Sequence, residues 1–214
     1  MKKIVLFVMG LTTLAFGIGV TLYPKLPDQM ASHWNAQGVV DGTMSKPFGV
    51  FLLPLIMVFL FLLLYFLPKF DPMKENIKKF SKQYSGFIAV MVLFMFALYL
   101  QTLLWSLGTK INPVIFMPVA FAVILYYLGI LIGSAEQNWT IGIRTPWTLS
   151  SKNVWDKTHQ LGAKLYKIAA YITLIGLILP KFAFLFVILP LMAVSFYLVI
   201  FSFLEFKKEQ GKKS

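Results

Sequence analysis

Six stretches of this chain are apolar over too great a length to be left in water. They run over Ile4–Leu22, Phe48–Leu67, Tyr84–Leu107, Pro113–Gly133, Leu165–Leu179 and Phe182–Leu204. A helix rises about 1.5 Å per residue, so about 20 apolar residues cross the roughly 30 Å of hydrocarbon in a bilayer. Lipid offers no partner to a free peptide group, and a helix satisfies its own. The chain is 58% hydrophobic and 13% charged, whereas soluble domains carry about a quarter charged residues. The expectation is an all-α integral membrane protein of six transmembrane helices.

The first run follows Lys2 and Lys3, which raises the alternative of a signal peptide. Such a peptide has an apolar core of about 7–15 residues and a small-residue cleavage site. This run is longer, and Val20-Thr21-Leu22-Tyr23-Pro24 offers no such site. It is read as a retained span. The fifth run, at 15 residues, is the shortest, and Lys167 near its start would snorkel to the interface.

Charge sets the expected orientation. Sixteen of the 20 Lys and Arg fall at the N-terminus, between the second and third runs, around 144–167, or in the tail ending Lys207, Lys208, Lys212 and Lys213. Only Lys25, Lys46, Lys110 and Lys181 fall on the opposite side. Basic residues stay on the cytoplasmic side, so both termini are expected there, in a multi-pass protein of a plasma membrane. The net charge of +12 is therefore a topology signal, and direct nucleic-acid binding is not expected. The organisation reads as residues 1–107, three helices with an outer loop at 23–47, and 108–214, three helices with an inner loop at 134–164. The two halves would have opposite orientation, as in inverted-repeat transporters, although they show no sequence match.

Little in the chain suggests chemistry. There is no Cys, hence no disulfide or thiolate ligand, and no phosphate-binding loop, nucleophile elbow or zinc-protease motif. The spans hold no Asp, Glu, Arg or His at their centres, which argues against a proton relay. Gln101, their clearest polar residue, is expected to bond a neighbouring helix. No enzyme, cofactor or metal is expected. In the outer loop, Asp28 is expected to cap a helical turn after Pro27, and Ala36-Gln37-Gly38 reads as a turn. Asp28, His33, Trp34, Gly38 and Asp41 are its candidate recognition residues. His33 with the two Asp makes a conceivable weak metal site, against which stands simple anchoring of His33 and Trp34 at the interface.

The unusual residues concentrate in Glu136–Tyr166, which holds three of the five Trp, the only Arg and one of the two His. Ser150 or Ser151 is placed to cap a helix starting at Lys152. Val154, Trp155, Thr158, Leu161, Gly162 and Leu165 then share one side, an amphipathic helix near 152–164 lying at the membrane interface. His159 would sit beside Trp155. Pro146 biases Thr145 toward extended backbone, giving an extended Arg144–Trp147 corner. Arg144 is placed to stack on Trp139 or Trp147, or to pair with Glu136. Residue types alone favour anchoring of the loop over a binding site.

The run AEQNWTIGIRTPWTLSSKNVWDKTHQLGAKL, Ala135 to Leu165, resembles the signature loop of the SdpI family of bacterial immunity proteins. LPDQMASHWNAQGVVDGTMSKP, Leu26 to Pro47, resembles the small N-terminal domain that often accompanies it. The resemblance implies protection against a secreted membrane-active peptide toxin, and a receptor role in which a cytoplasmic transcriptional repressor is held at the membrane. It also implies Glu136, Asn138, Gly142, Arg144, Thr145, Pro146, Trp147, Thr148, Trp155 and His159 as recognition candidates. The implied partners are thus the lipid bilayer, a peptide toxin and a repressor. A small-solute facilitator, a lipid-handling protein and a ligand-free structural subunit are the alternatives.

Overall fold

A computed structural model describes residues 2–212; Lys213, counted above in the basic tail, lies outside the described residues. The elements are α1 (Lys2–Leu22), β1 (Gln29–Trp34), β2 (Val40–Ser45), α2 (Lys46–Phe66), α3 (Lys74–Lys79), α4 (Ser81–Ser106), α5 (Pro113–Ser134), α6 (Pro146–Ser150), α7 (Lys152–Leu174) and α8 (Ala183–Gly211). Helices α1, α2, α4, α5 and α8 are long and apolar enough to cross a membrane. Helices α1, α2 and α4 pack together, as do α5, α7 and α8, and α4 joins the groups through α5. The bundle has a hairpin end, with β1, β2 and the turn at 175–182, and a loop end with residues 67–80, 135–151 and the last turns of α8.

The outer loop is not irregular. β1 and β2 form an antiparallel hairpin, with Gln29 opposite Ser45 and Met30 opposite Met44, and register shifts around His33. The expected turn is present: Asn35 Oδ1 accepts from the amides of Gln37 and Val39, each at 3.0 Å, and Gly38 takes φ 76°. Asp28 caps no helix. It precedes β1, and its carboxylate pairs with Lys46 at 3.2 Å. Met30 plugs the hairpin into the bundle beside Leu26, Val50, Tyr99 and Leu103. Burial of such side chains is what an isolated two-stranded hairpin lacks. Gly49 makes room, since a Cβ there would lie 2.6 Å from Met30 Sδ.

The separate interfacial helix and fifth span expected from the sequence are one element. α7 runs unbroken from Lys152 to Leu174 and turns through a 3-10 segment at Ile175–Leu177. It does not lie flat on headgroups, because it runs antiparallel along α5. Ala163 is level with Gly129 and Gly133, and Gly176 is level with Pro118. Its lysines keep it from being a span by composition, and it traverses the bundle sheltered between α5 and α8. Lys167 lies 5.7 Å from the Tyr126 ring. Gln101 is buried and donates to the Ile111 carbonyl between α4 and α5 at 3.4 Å.

Small residues allow the α5–α7 seam. A Cβ at Gly129 would meet the Ala163 carbonyl oxygen at 2.8 Å and the Lys167 amide nitrogen at 3.3 Å, and backbone cannot yield as a side chain can. Gly129→Val is expected to lower the melting temperature in detergent, at a cost of about 1–3 kcal/mol for overpacking. Gly10→Val on α1, where a Cβ meets nothing within 4 Å, should leave it unchanged. Equal melting of the two variants would contradict the seam.

Candidate functional site at the loop end

The polar segment between α5 and α7 is held from within by Asn138, which is fully buried. Its amide donates to the carbonyls of Glu136 and Ile141, each at 2.8 Å, and its Oδ1 accepts from the amides of Thr140 at 2.8 Å and Ile141 at 2.6 Å. All four hydrogen-bonding positions of the side chain are used, as burial demands.

The segment is then tied to both halves of the bundle. Asp71, between α2 and α3, is buried. Its carboxylate accepts from the amides of Met73 at 2.7 Å and Trp139 at 2.9 Å, and from the Thr140 hydroxyl. Asn76 adds a bond to the Gln137 carbonyl at 2.8 Å. Toward α8, Thr145 Oγ1 shares a hydrogen bond with Ser202 Oγ at 3.1 Å, and Trp147 packs on Phe203 with ring centroids 5.0 Å apart. Lys157 and Lys208 both pair with Glu205, at 2.9 and 2.7 Å, and Ser151 donates to Glu209 at 2.7 Å. Bonds to charged groups are stronger than neutral ones, so the Lys157–Glu205 and Ser151–Glu209 contacts fasten the start of α7 to the end of α8, while Lys208 holds Glu205 from within α8.

Local sequence explains the corner. Thr145 is extended, as expected, but Pro146 opens the short helix α6 instead of extending the corner to Trp147. Pro suits a first helical position because that N–H has no helical partner. Thr145 and Thr148 cap each other's backbone amides. Ser151, one of the two expected candidates, caps α7 by accepting from the Val154 amide at 3.2 Å.

Trp155 and His159 meet as expected, stacked with centroids 3.8 Å apart and an interplanar angle of 16°. Both are buried. Trp155 Nε1 donates to the Ala135 carbonyl at 2.7 Å. His159 Nδ1 lies 2.8 Å from the Trp155 carbonyl and must donate there, so Nε2 is left to accept from the Ile143 amide at 3.1 Å. That arrangement requires a neutral ring, and burial pushes its pKa down to about 4. Gly142 closes over the stack with φ 127°, where a Cβ would lie 2.5 Å from His159 Nε2. Both the backbone angle and the space require glycine.

Of the ten inner candidates, then, Asn138, Thr145, Thr148, Trp155 and His159 face inward and build the segment. Glu136 is half-exposed and pairs with Lys152 at 3.6 Å. Arg144 and Pro146 are exposed, and Trp147 is half-buried. Arg144 makes neither contact expected of it: its Nη1 donates to the Trp139 carbonyl at 2.7 Å. Trp139 presents its ring outward, 56% exposed. Beneath residues 140–145 a cavity of about 500 Å³ opens between the halves, with Arg144 in its lining. At the hairpin end, His33 pairs with Asp41 at 2.5 Å while Asp28 is engaged by Lys46, so the three do not converge. Trp34 meets Trp105 edge-on at 5.5 Å. Among the described residues no three His, Cys, Asp or Glu could hold a metal ion together.

Sequence reasoning passed over Asp71, whose role depends on a partner 68 residues away.

Helices of this length and apolarity, traversing one bundle, define a multi-pass integral membrane protein. Residues 134–203 match the SdpI/YfhL protein family, and residues 10–58 match a domain of unknown function, DUF1648. The chain is thus similar, over that C-terminal stretch, to the SdpI/YfhL protein family. It is 28% identical over 172 residues to Immunity protein SdpI of Bacillus subtilis (strain 168), covering 80% of each chain. No solved structure matches.

The neutral His159 has a pH consequence. The unfolded chain takes up the proton near 6.5 while the folded ring resists it to about 4. Its contribution is therefore complete above about 6.5 and is lost as pH falls toward 4, on the order of 3 kcal/mol. Wild type should lose more stability than His159→Gln over that window, read as denaturation midpoints at each pH. Parallel curves would contradict a neutral buried ring.

Proposed function

We propose that this is an immunity protein that protects its bacterium from a secreted, membrane-active peptide toxin, and that it also serves as a receptor retaining a cytoplasmic repressor at the membrane. The observation that carries this reading is the likeness to Immunity protein SdpI over 80% of both chains. The placement of basic residues supports a loop end in the cytoplasm and a hairpin end outside.

The two ends suit the two tasks. At the hairpin end a cavity of about 620 Å³ lies under the hairpin, walled by residues such as Trp34, Leu53, Phe121, Phe184 and Ile188. Apolar walls of that kind would take the apolar face of a peptide arriving from outside. At the loop end the exposed Trp139 and Arg144 stand on a segment whose own polar groups are bonded internally, so partner binding would not cost the fold. Aromatic and Arg side chains on a rigid support are the residue types that dominate protein recognition. The role is binding, with no catalytic step.

Expression in a toxin-sensitive strain should raise survival at a dose that kills the vector control; unchanged killing across related peptide toxins would remove the immunity role. For the receptor role, Trp139→Ala spares the backbone bond to Asp71 and should leave protein levels unchanged. It is expected to reduce several-fold the membrane-bound fraction of a tagged repressor. Undiminished recruitment would remove that role.

A further inference from the structure

Arg144 is the chain's only arginine. It is exposed, and among the described residues no carboxylate pairs with it. The nearby acid, Asp71, is buried with both oxygens occupied. A guanidinium has five donors, and one bond to the Trp139 carbonyl leaves most of the fork unused.

What lies beside Arg144 is mostly apolar, with Thr140, Thr145 and Ser195 among the polar members of the lining. The cavity of about 500 Å³ is walled by Leu64 and Leu67 from the α2 end, Phe87 from α4, Leu128 from α5, and Leu198 and Val199 from α8. Leu67 and Val199 are 41% and 42% exposed, so the wall continues onto the outer faces of α2 and α8. Those faces belong to helices long and apolar enough to cross a bilayer. The site therefore joins one unpaired cation, at the level where α5 ends, to an apolar slot running into the hydrocarbon. An amphiphilic anion, an acidic headgroup on an apolar chain, has that shape and that charge.

We propose that this crevice binds an anionic phospholipid, its phosphodiester held by Arg144 and an acyl chain lying between Leu67 and Val199. Arg–phosphate bonding is charge-assisted and frequently bidentate, a geometry that the planar fork matches. The volume falls within the range of small-molecule sites. A soluble anion would satisfy the arginine but leave the slot empty, whereas a zwitterionic lipid fills the slot and brings its own cation to the arginine. The inference stands independently of the immunity reading.

The test uses the full-length protein in detergent, titrated with phosphatidylglycerol or phosphatidylcholine and read by native mass spectrometry and melting temperature. Wild type should retain phosphatidylglycerol preferentially. Arg144→Gln should weaken that retention about tenfold, the loss of one charge-assisted contact, and Arg144→Lys should recover part of it. Val199→Trp, filling the mouth without changing charge, should weaken it too, while Lys181→Gln at the hairpin end should not. If Arg144→Gln melts early without lipid, Arg144→Lys against Val199→Trp still separates charge from slot. Equal retention of the two lipids, undiminished phosphatidylglycerol binding in Arg144→Gln and Val199→Trp, or an equal Arg144-dependent stabilisation by inorganic phosphate alone would each overturn the proposal.

Discussion

A bilayer would not accept α7 by itself, and the C-terminal half is arranged around that constraint. The helix carries Lys152, Asp156, Lys157, Lys164 and Lys167 along with a buried polar seam of Thr158, His159 and Thr173. Polar groups facing hydrocarbon cost free energy unless they are paired or hidden. α7 is hidden by close approach to α5, which Gly129 and Gly133 permit, and by α8, whose Glu205 engages Lys157. With α7 upright, its first turns project past the end of α5 and become the support for the polar segment. Trp155 and His159 are on those turns, and Gly142 and Ala135 close against them.

The segment that looks most like a binding site is therefore mostly construction. Its rare residues satisfy buried backbone groups that would otherwise be stranded at the membrane boundary, as Asn138 does for Glu136, Thr140 and Ile141. Asp71 carries the same logic across the gap between the halves, since it binds the Trp139 amide from the opposite side. What remains free for function is the surface that this scaffold presents: the outward ring of Trp139, the largely unused fork of Arg144, and the mostly apolar crevice below them. A rigid segment with its own bonds closed is a good platform for recognition, because little conformational freedom is lost on binding.

Long apolar runs made the membrane class legible, and five helices of the structure coincide with them. The Ser151 cap and the Asn35–Gly38 turn were legible because their chemistry is local. α7 was not, since Lys164 and Lys167 interrupt its apolar run and split one helix into two readings. The hairpin was missed because its strands lack a clean alternation: β1 buries Met30 and Ala31 in succession. In the inner segment, residue types do not announce the direction each side chain faces. Trp155 and His159 turn inward because Ala135 and Ile143 offer them backbone partners, and nothing in the spacing announces that.

The proposed immunity and receptor roles depend on the hairpin and the inner segment lying on opposite sides of the membrane. The absence of cysteine makes this directly measurable with single substitutions and a membrane-impermeant maleimide. Gln37→Cys, at the exposed hairpin tip, should label in intact cells. Ser150→Cys, exposed beside α7, should label only after the membrane is permeabilised. Labelling of both positions in intact cells, or the reverse pattern, would contradict the account.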